Sequence, residues 1–168
     1  GHMKMASLGS GKPTYVVIKG AKSSEDKDKN PFNAEDQIRW IKKVYGQKAN
    51  VMVAPNGFLP DIIKSAEEKF GGSVVDVIAG PDRMAGYKRQ LNSVPELSDR
   101  VKLIPVLDRF EVGGDSISAT KVRDAIRSYD IEKFRRLMPA ALHDEFNKMQ
   151  DSLGLYAQES LCYLLDYE

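Results

Sequence analysis

Four short apolar runs, rich in β-branched side chains, set the pattern of this chain: Tyr15-Val16-Val17-Ile18, Val51-Met52-Val53, Val74 through Ala79 and Val101 through Leu107. Near-continuous apolar runs suit strands buried on both faces, as in a parallel sheet covered by helices. Amphipathic stretches separate them. Ile38, Ile41 and Val44 recur at helical spacing, with Asn33 placed to cap the start and Gly46 the end. Pro60 opens a second helix carrying Ile63, Ala66 and Phe70, stopped by Gly71-Gly72. Residues 82–91 predict a third, and two more are expected from Ser118 through Arg127 and from Asp130 through Leu137. Strands alternating with helices predict an α/β fold, a doubly wound parallel sheet with helices on both faces. Pro105 places the fourth run at an edge or an end.

Composition removes several classes. The chain has 168 residues, 42% of them apolar and 29% charged, enough apolar surface to offset chain entropy in one domain. No apolar run approaches the ~20 residues of a membrane span. A single cysteine, Cys162, excludes an internal disulfide and favours a reducing, cytoplasmic setting; no signal peptide is read. The net charge of +1 argues against nucleic acid or a membrane surface as a partner, so any phosphate site must be local. Residues 1–150 read as one domain without repeats. Residues 151–168 hold four acids, no Lys or Arg, and five leucines. This tail reads as an amphipathic helix that packs on the domain or on a partner.

The stretch richest in chemistry is Gly113-Gly114-Asp115-Ser116-Ile117-Ser118-Ala119-Thr120-Lys121-Val122-Arg123. Two glycines free the backbone, and hydroxyls arrive where a helix begins. A helix start offers unpaired N–H donors and the positive end of the dipole, which together favour an anion. Ser118 and Thr120 add hydroxyls, and Lys121 and Arg123 add charge within a turn. A plain N-cap accounts for the same serine, and both readings stand on the residues alone.

Ile117-Ser118-x-Thr120-x-x-Arg123 resembles the Ile-Ser-x-Thr-x-x-Arg signature of the nucleotidylyltransferase superfamily. Asn30-Pro31-Phe32-Asn33-Ala34 is similar to the Asn-Pro-Phe-Thr-Ala stretch of nicotinamide mononucleotide adenylyltransferases, and Gly80-Pro81-Asp82 to the Gly-x-Asp element closing the family's central strand. The resemblance spans about residues 1 to 140, with an overall flavour of phage cytidylyltransferase-like proteins. It implies a Rossmann-like fold and transfer of AMP or CMP from ATP or CTP, with Mg²⁺, to a small phosphorylated acceptor. Nicotinamide mononucleotide is the first choice of acceptor, and a phage relative would act in the host cytoplasm. By the same resemblance Ser118, Thr120 and Arg123 hold phosphates, Lys121 and Arg123 assist the departure of pyrophosphate, and Gly80 and Asp82 face the nucleotide. The family's arginine after Asn-Pro-Phe corresponds to Gln37, so a charge contact made there is either lost or supplied by Arg39.

The family's first strand and His-x-Gly-His loop should precede Tyr15. Only Gly1-His2 matches the end of that loop, which would make His2 catalytic; Gly1-His2-Met3 equally matches the scar of a cleaved tag. A homo-oligomer or another chain is then expected to supply the missing strand, and a non-catalytic nucleotide-binding or structural module is the alternative function. Elsewhere the plain readings hold. Trp40 reads as core, Cys162 as a small buried hydrophobe, His143 as a helix-surface residue, Asp108-Arg109 as an exposed ion pair, and Lys22 to Lys29 as a solvated loop.

Overall fold

A computed structural model of the chain describes residues 13–19, 31–47, 49–106, 111–112 and 115–154. The chain is mixed α/β and divides into two units, each assembled from two stretches of sequence. One takes Gly1–Lys19 and Lys48–Arg109, the other Gly20–Gln47 and Phe110–Glu168.

The first unit carries the four longer strands among the described residues. β1 (Tyr15–Ile18) pairs in parallel with β2 (Asn50–Val53), from Tyr15 opposite Asn50 to Ile18 opposite Val53. β3 (Asp76–Ala79) pairs in parallel with β4 (Lys102–Pro105), from Asp76 opposite Lys102 to Ala79 opposite Pro105. On β4 the amides of Lys102 and Val106 reach β3, the latter bonding the Ala79 carbonyl at 2.9 Å, so Pro105, which has no N–H to give, stands between them on the side turned away from β3. The expected doubly wound sheet is reached only in part: among the described residues the strands form two separate parallel pairs. Three helices complete the unit: α2 (Leu59–Phe70), α3 (Pro81–Asn92) and α4 (Pro95–Arg100). Each has proline in its first turn, where the missing N–H costs nothing. Leu59, Ile63, Leu91 and Val101 make the core here, joined by half-buried Val77 and Leu103 from β3 and β4. A Glu67–Arg100 ion pair (2.6 Å) ties α2 to α4.

The second unit is helical. α1 (Ala34–Tyr45) begins as the sequence predicts, with the Asn33 side chain accepting from the Asp36 amide at 2.8 Å, and ends at Gly46, whose φ of 100° suits glycine. A two-residue antiparallel pair, β5 (Glu111–Val112) with β6 (Asp115–Ser116), leads into α5 (Ala119–Arg127). Then follow α6 (Ile131–Leu137), a 3₁₀ turn (Ala140–Glu145) and α7 (Phe146–Ser152). Trp40 is core, as expected, packed among Val122, Ala125, Ile126, Phe134, Leu137, Leu142, Phe146 and Met149. Phe134 meets Phe146 edge to face with centroids 5.0 Å apart. Leu153 also packs on this core. The rest of the predicted C-terminal helix, with Cys162, lies outside the described residues.

Candidate functional site

The start of α5 gathers four of the candidate residues within two turns. Ser118 is the N-cap in extended conformation, and its hydroxyl accepts from the Lys121 amide at 3.2 Å. The Ser118 carbonyl takes the first helical bond, from the Val122 amide at 3.1 Å. Helix geometry leaves the amides of Ala119 and Thr120 without an intrahelical acceptor, facing out along the axis. Thr120 is exposed, and its Oγ1 accepts from an Arg123 guanidinium nitrogen at 3.3 Å. The Lys121 ammonium donates to Ser116 Oγ at 3.2 Å, back across the turn from β6. The first turn of α5 contains no acid. Two axial amides, two hydroxyls and two cations therefore surround a helix start whose dipole no carboxylate in that turn offsets, an arrangement that favours an anion. The plain N-cap role of Ser118 is real and occupies one of the orphan amides; it leaves the others in place.

The opposite face of α5 is what holds this turn. Val122, Ala125 and Ile126 are buried at helical spacing, Ile126 completely, against Phe134, Phe146 and Met149. Burying such a side chain contributes about 1.5–3 kcal/mol.

Gly80 and Asp82 come together at the start of α3, in the first unit. Gly80 is the N-cap residue, with φ −61° and no side chain to cap with, and Pro81 and Asp82 follow in the first turn. A Cβ at Gly80 would lie 2.6 Å from Asp82 Oδ1, so the carboxylate folds back over the glycine. Asp82 is largely exposed, and its nearest cation is the neighbouring Arg83 at 3.6 Å. His2 lies outside the described residues, as do Asp108-Arg109 and the segment from Lys22 to Lys29.

The structure gives Arg39 a partner of its own: it forks onto Glu145, Nη1 to Oε1 at 2.7 Å and Nη2 to Oε2 at 2.9 Å. His143 sits half-buried on the 3₁₀ helix, with Nε2 2.9 Å from the Met138 carbonyl. Gln37, at the family's arginine position, bonds the Phe32 carbonyl at 2.9 Å.

The Arg39–Glu145 pair belongs to a cluster that the sequence did not reveal. Glu145, nearly buried, also accepts from Trp40 Nε1 at 3.0 Å and from the Lys43 ammonium at 3.1 Å. The Arg39 guanidinium, against the cost of burial and with help from Trp40 and Lys43, pulls the Glu145 carboxyl down to about 2. Asp36, also buried, takes Arg39 at 3.3 Å and Lys148 at 2.9 Å. A carboxylate satisfied by this many donors is a clamp joining α1 to the 3₁₀ turn, not a proton carrier. Its partners stand 105 and 106 residues away in the sequence, so no local pattern signals it.

Among the described residues no group of three or more His, Cys, Asp or Glu side chains converges on a point. The donors around α5 are hydroxyls, amides and cations, which suit phosphate oxygens and not a metal ion. No protein-family model, characterised protein or solved structure matches this chain.

Proposed function

We propose that this chain is a nucleotidylyltransferase of Rossmann-like architecture. It would transfer AMP or CMP from a nucleoside triphosphate to a small phosphorylated acceptor, with nicotinamide mononucleotide as the first candidate. The observation that carries this reading is the acid-free first turn of α5, where Ser118, Thr120, Lys121 and Arg123 converge around outward amides. An acceptor phosphate oxygen attacks the α-phosphorus, the bond to the bridging oxygen breaks, and pyrophosphate leaves. Catalysis of that kind is positioning and charge stabilisation. Lys121 and Arg123 neutralise the leaving pyrophosphate, while Ser118, Thr120 and the axial amides orient it. Mg²⁺ would arrive on the triphosphate, held by phosphate oxygens and water, in keeping with its preference for few protein ligands. Gly80 and Asp82 stand at the carboxyl end of β3, where open α/β sheets take ligands.

The separation of the strands into two pairs favours a second reading, a non-catalytic triphosphate-binding module. Pyrophosphate release separates the two. With ATP or CTP, Mg²⁺ and nicotinamide mononucleotide, the enzyme reading expects release that falls about 10²–10³-fold in Arg123→Ala. Triphosphate binding without release, over a panel of phosphorylated acceptors, would establish the module.

A further inference from the structure

The sequence holds one Asn-Gly pair, Asn56-Gly57, in the connection from β2 to α2. That connection is pinned at both ends. The Ala54 amide bonds the Ile18 carbonyl at 2.8 Å, and the Leu59 amide bonds Oε1 of Gln90, from α3, at 2.8 Å. Between these anchors Pro55, Asn56, Gly57 and Phe58 are exposed. The Asn56 side chain is held from both sides as well: its Oδ1 accepts from the Phe58 amide at 2.9 Å, and its Nδ2 donates to Asp61 Oδ2 at 2.7 Å. A bond from a side-chain carbonyl to the amide two residues on closes an Asx turn, and the ring so formed passes through Asn56 Cγ and the Gly57 nitrogen. Among the described residues nothing accepts from the Gly57 amide, and nothing lies within 4 Å of where a Cβ would stand on Gly57. The other described asparagines, Asn33, Asn50, Asn92 and Asn147, are each followed by a residue with a Cβ, and each belongs to a helix, its cap or a strand.

We propose that Asn56 is a site of self-modification: the Gly57 nitrogen cyclises onto the Asn56 side chain, and water opens the ring to aspartate and isoaspartate. The Gly57 amide gives its proton to solvent base, its nitrogen bonds to Cγ, and the bond from Cγ to Nδ2 breaks. That nitrogen leaves as ammonia, taking a proton from water. Water then adds to one or other carbonyl of the cyclic imide, so the net change is one ammonia out and one water in, with nothing oxidised or reduced. The Phe58 amide, already on Oδ1, stabilises the charge that builds on that oxygen during attack. The turn holds Cγ over its nucleophile, which removes part of the entropic cost of closing the ring. Glycine matters because the ring needs a backbone that a Cβ would resist.

The product loses a contact that the parent makes. A carboxylate at position 56 has no proton to give Asp61, and two carboxylate oxygens do not stay 2.7 Å apart, so the tie from the loop to the first turn of α2 is broken. Isoaspartate also lengthens the main chain between the two anchors. Conversion therefore loosens the Leu59 anchor on Gln90. This chemistry stands apart from the phosphate reading of α5 and holds whether or not the chain is an enzyme.

Incubation of the full 168-residue chain in heavy-oxygen water at mildly alkaline pH, followed by peptide mapping, tests it. The peptide bearing Asn56 takes up heavy oxygen at least about tenfold faster than those bearing Asn33, Asn50, Asn92 or Asn147. Gly57→Ala, which the open space around Gly57 accommodates, slows that uptake about tenfold or more without lowering the urea midpoint. The free peptide Ala-Pro-Asn-Gly-Phe-Leu lacks the held turn and reacts no faster than the folded chain. Asn56→Asp, which carries the product's charge, speeds exchange of the Leu59 amide about two- to tenfold, and adding Asp61→Asn restores it. A folded chain slower than the free peptide, uptake unmoved by Gly57→Ala, or a Leu59 amide indifferent to Asn56→Asp would each overturn the proposal.

Discussion

α3 and α5 both turn an extended segment into a helix, and they do it with opposite chemistry. α3 begins Gly80-Pro81-Asp82, without a side-chain cap and with an acid in its first turn. α5 begins Ser118-Ala119-Thr120-Lys121, with a hydroxyl cap, no acid in the turn, and Arg123 bonded to Thr120. Asp82 offsets the positive end of its own helix and discourages an anion there; a carboxylate at that place suits a hydroxyl or a cation. The first turn of α5 carries no such acid.

The scaffolds differ as well. α5 buries Val122, Ala125 and Ile126 in a core that includes three aromatic rings, Trp40, Phe134 and Phe146. α3 buries only Leu91. Ile126→Ala should cost about 3–5 kcal/mol, and Leu91→Ala about 2–3, in urea unfolding of the full chain. Equal costs would remove the claim that the phosphate turn sits on the firmer helix.

Acid should act next, through the clamp on the helical unit. The Glu145 carboxyl lies at about 2 in the folded chain against 4.5 for an ordinary glutamate. The unfolded chain then binds more protons across that interval, so stability rises with pH within it and is lost as pH falls from about 4.5 toward 2. The loss attributable to Glu145 is about 2 kcal/mol, allowing for the solvent around half-exposed Arg39. Glu145→Gln should flatten that part of the profile, and an unchanged acid limb would show the clamp to be idle.

Smaller effects separate the two starts directly. Ser118→Ala should destabilise by about 1 kcal/mol through loss of the cap. Gly80→Ala should cost under about 0.5 kcal/mol, because φ there is ordinary and the exposed Asp82 carboxylate swings clear of a new Cβ. A larger penalty at Gly80 would mean that the folded-back carboxylate is held in place.

Local signals were legible in the sequence, and distant ones were not. Asn33, Gly46, Pro60 and Ser118 mark helix boundaries by their own chemistry, and the four apolar runs locate all four longer strands. α4, the β5–β6 pair and the 3₁₀ turn escaped, being six residues or shorter with no room for a period to show. Val74-Val75 reads as strand by composition, yet the ladder starts at Asp76 because β4 supplies partners only from Lys102 onward. The cluster at the start of α5 was legible because its donors sit within six residues of one another. The partner of Arg39 was not, because Glu145 reaches it only through the folding of the helical unit.

The central claim is that the start of α5 takes a triphosphate. Isothermal titration of the chain with ATP and CTP in Mg²⁺, beside Arg123→Ala, tests it most directly. The account predicts binding by at least one triphosphate, weakened about 10-fold or more in the variant through loss of a charge-assisted contact. No binding of either, or equal binding by Arg123→Ala, would contradict it.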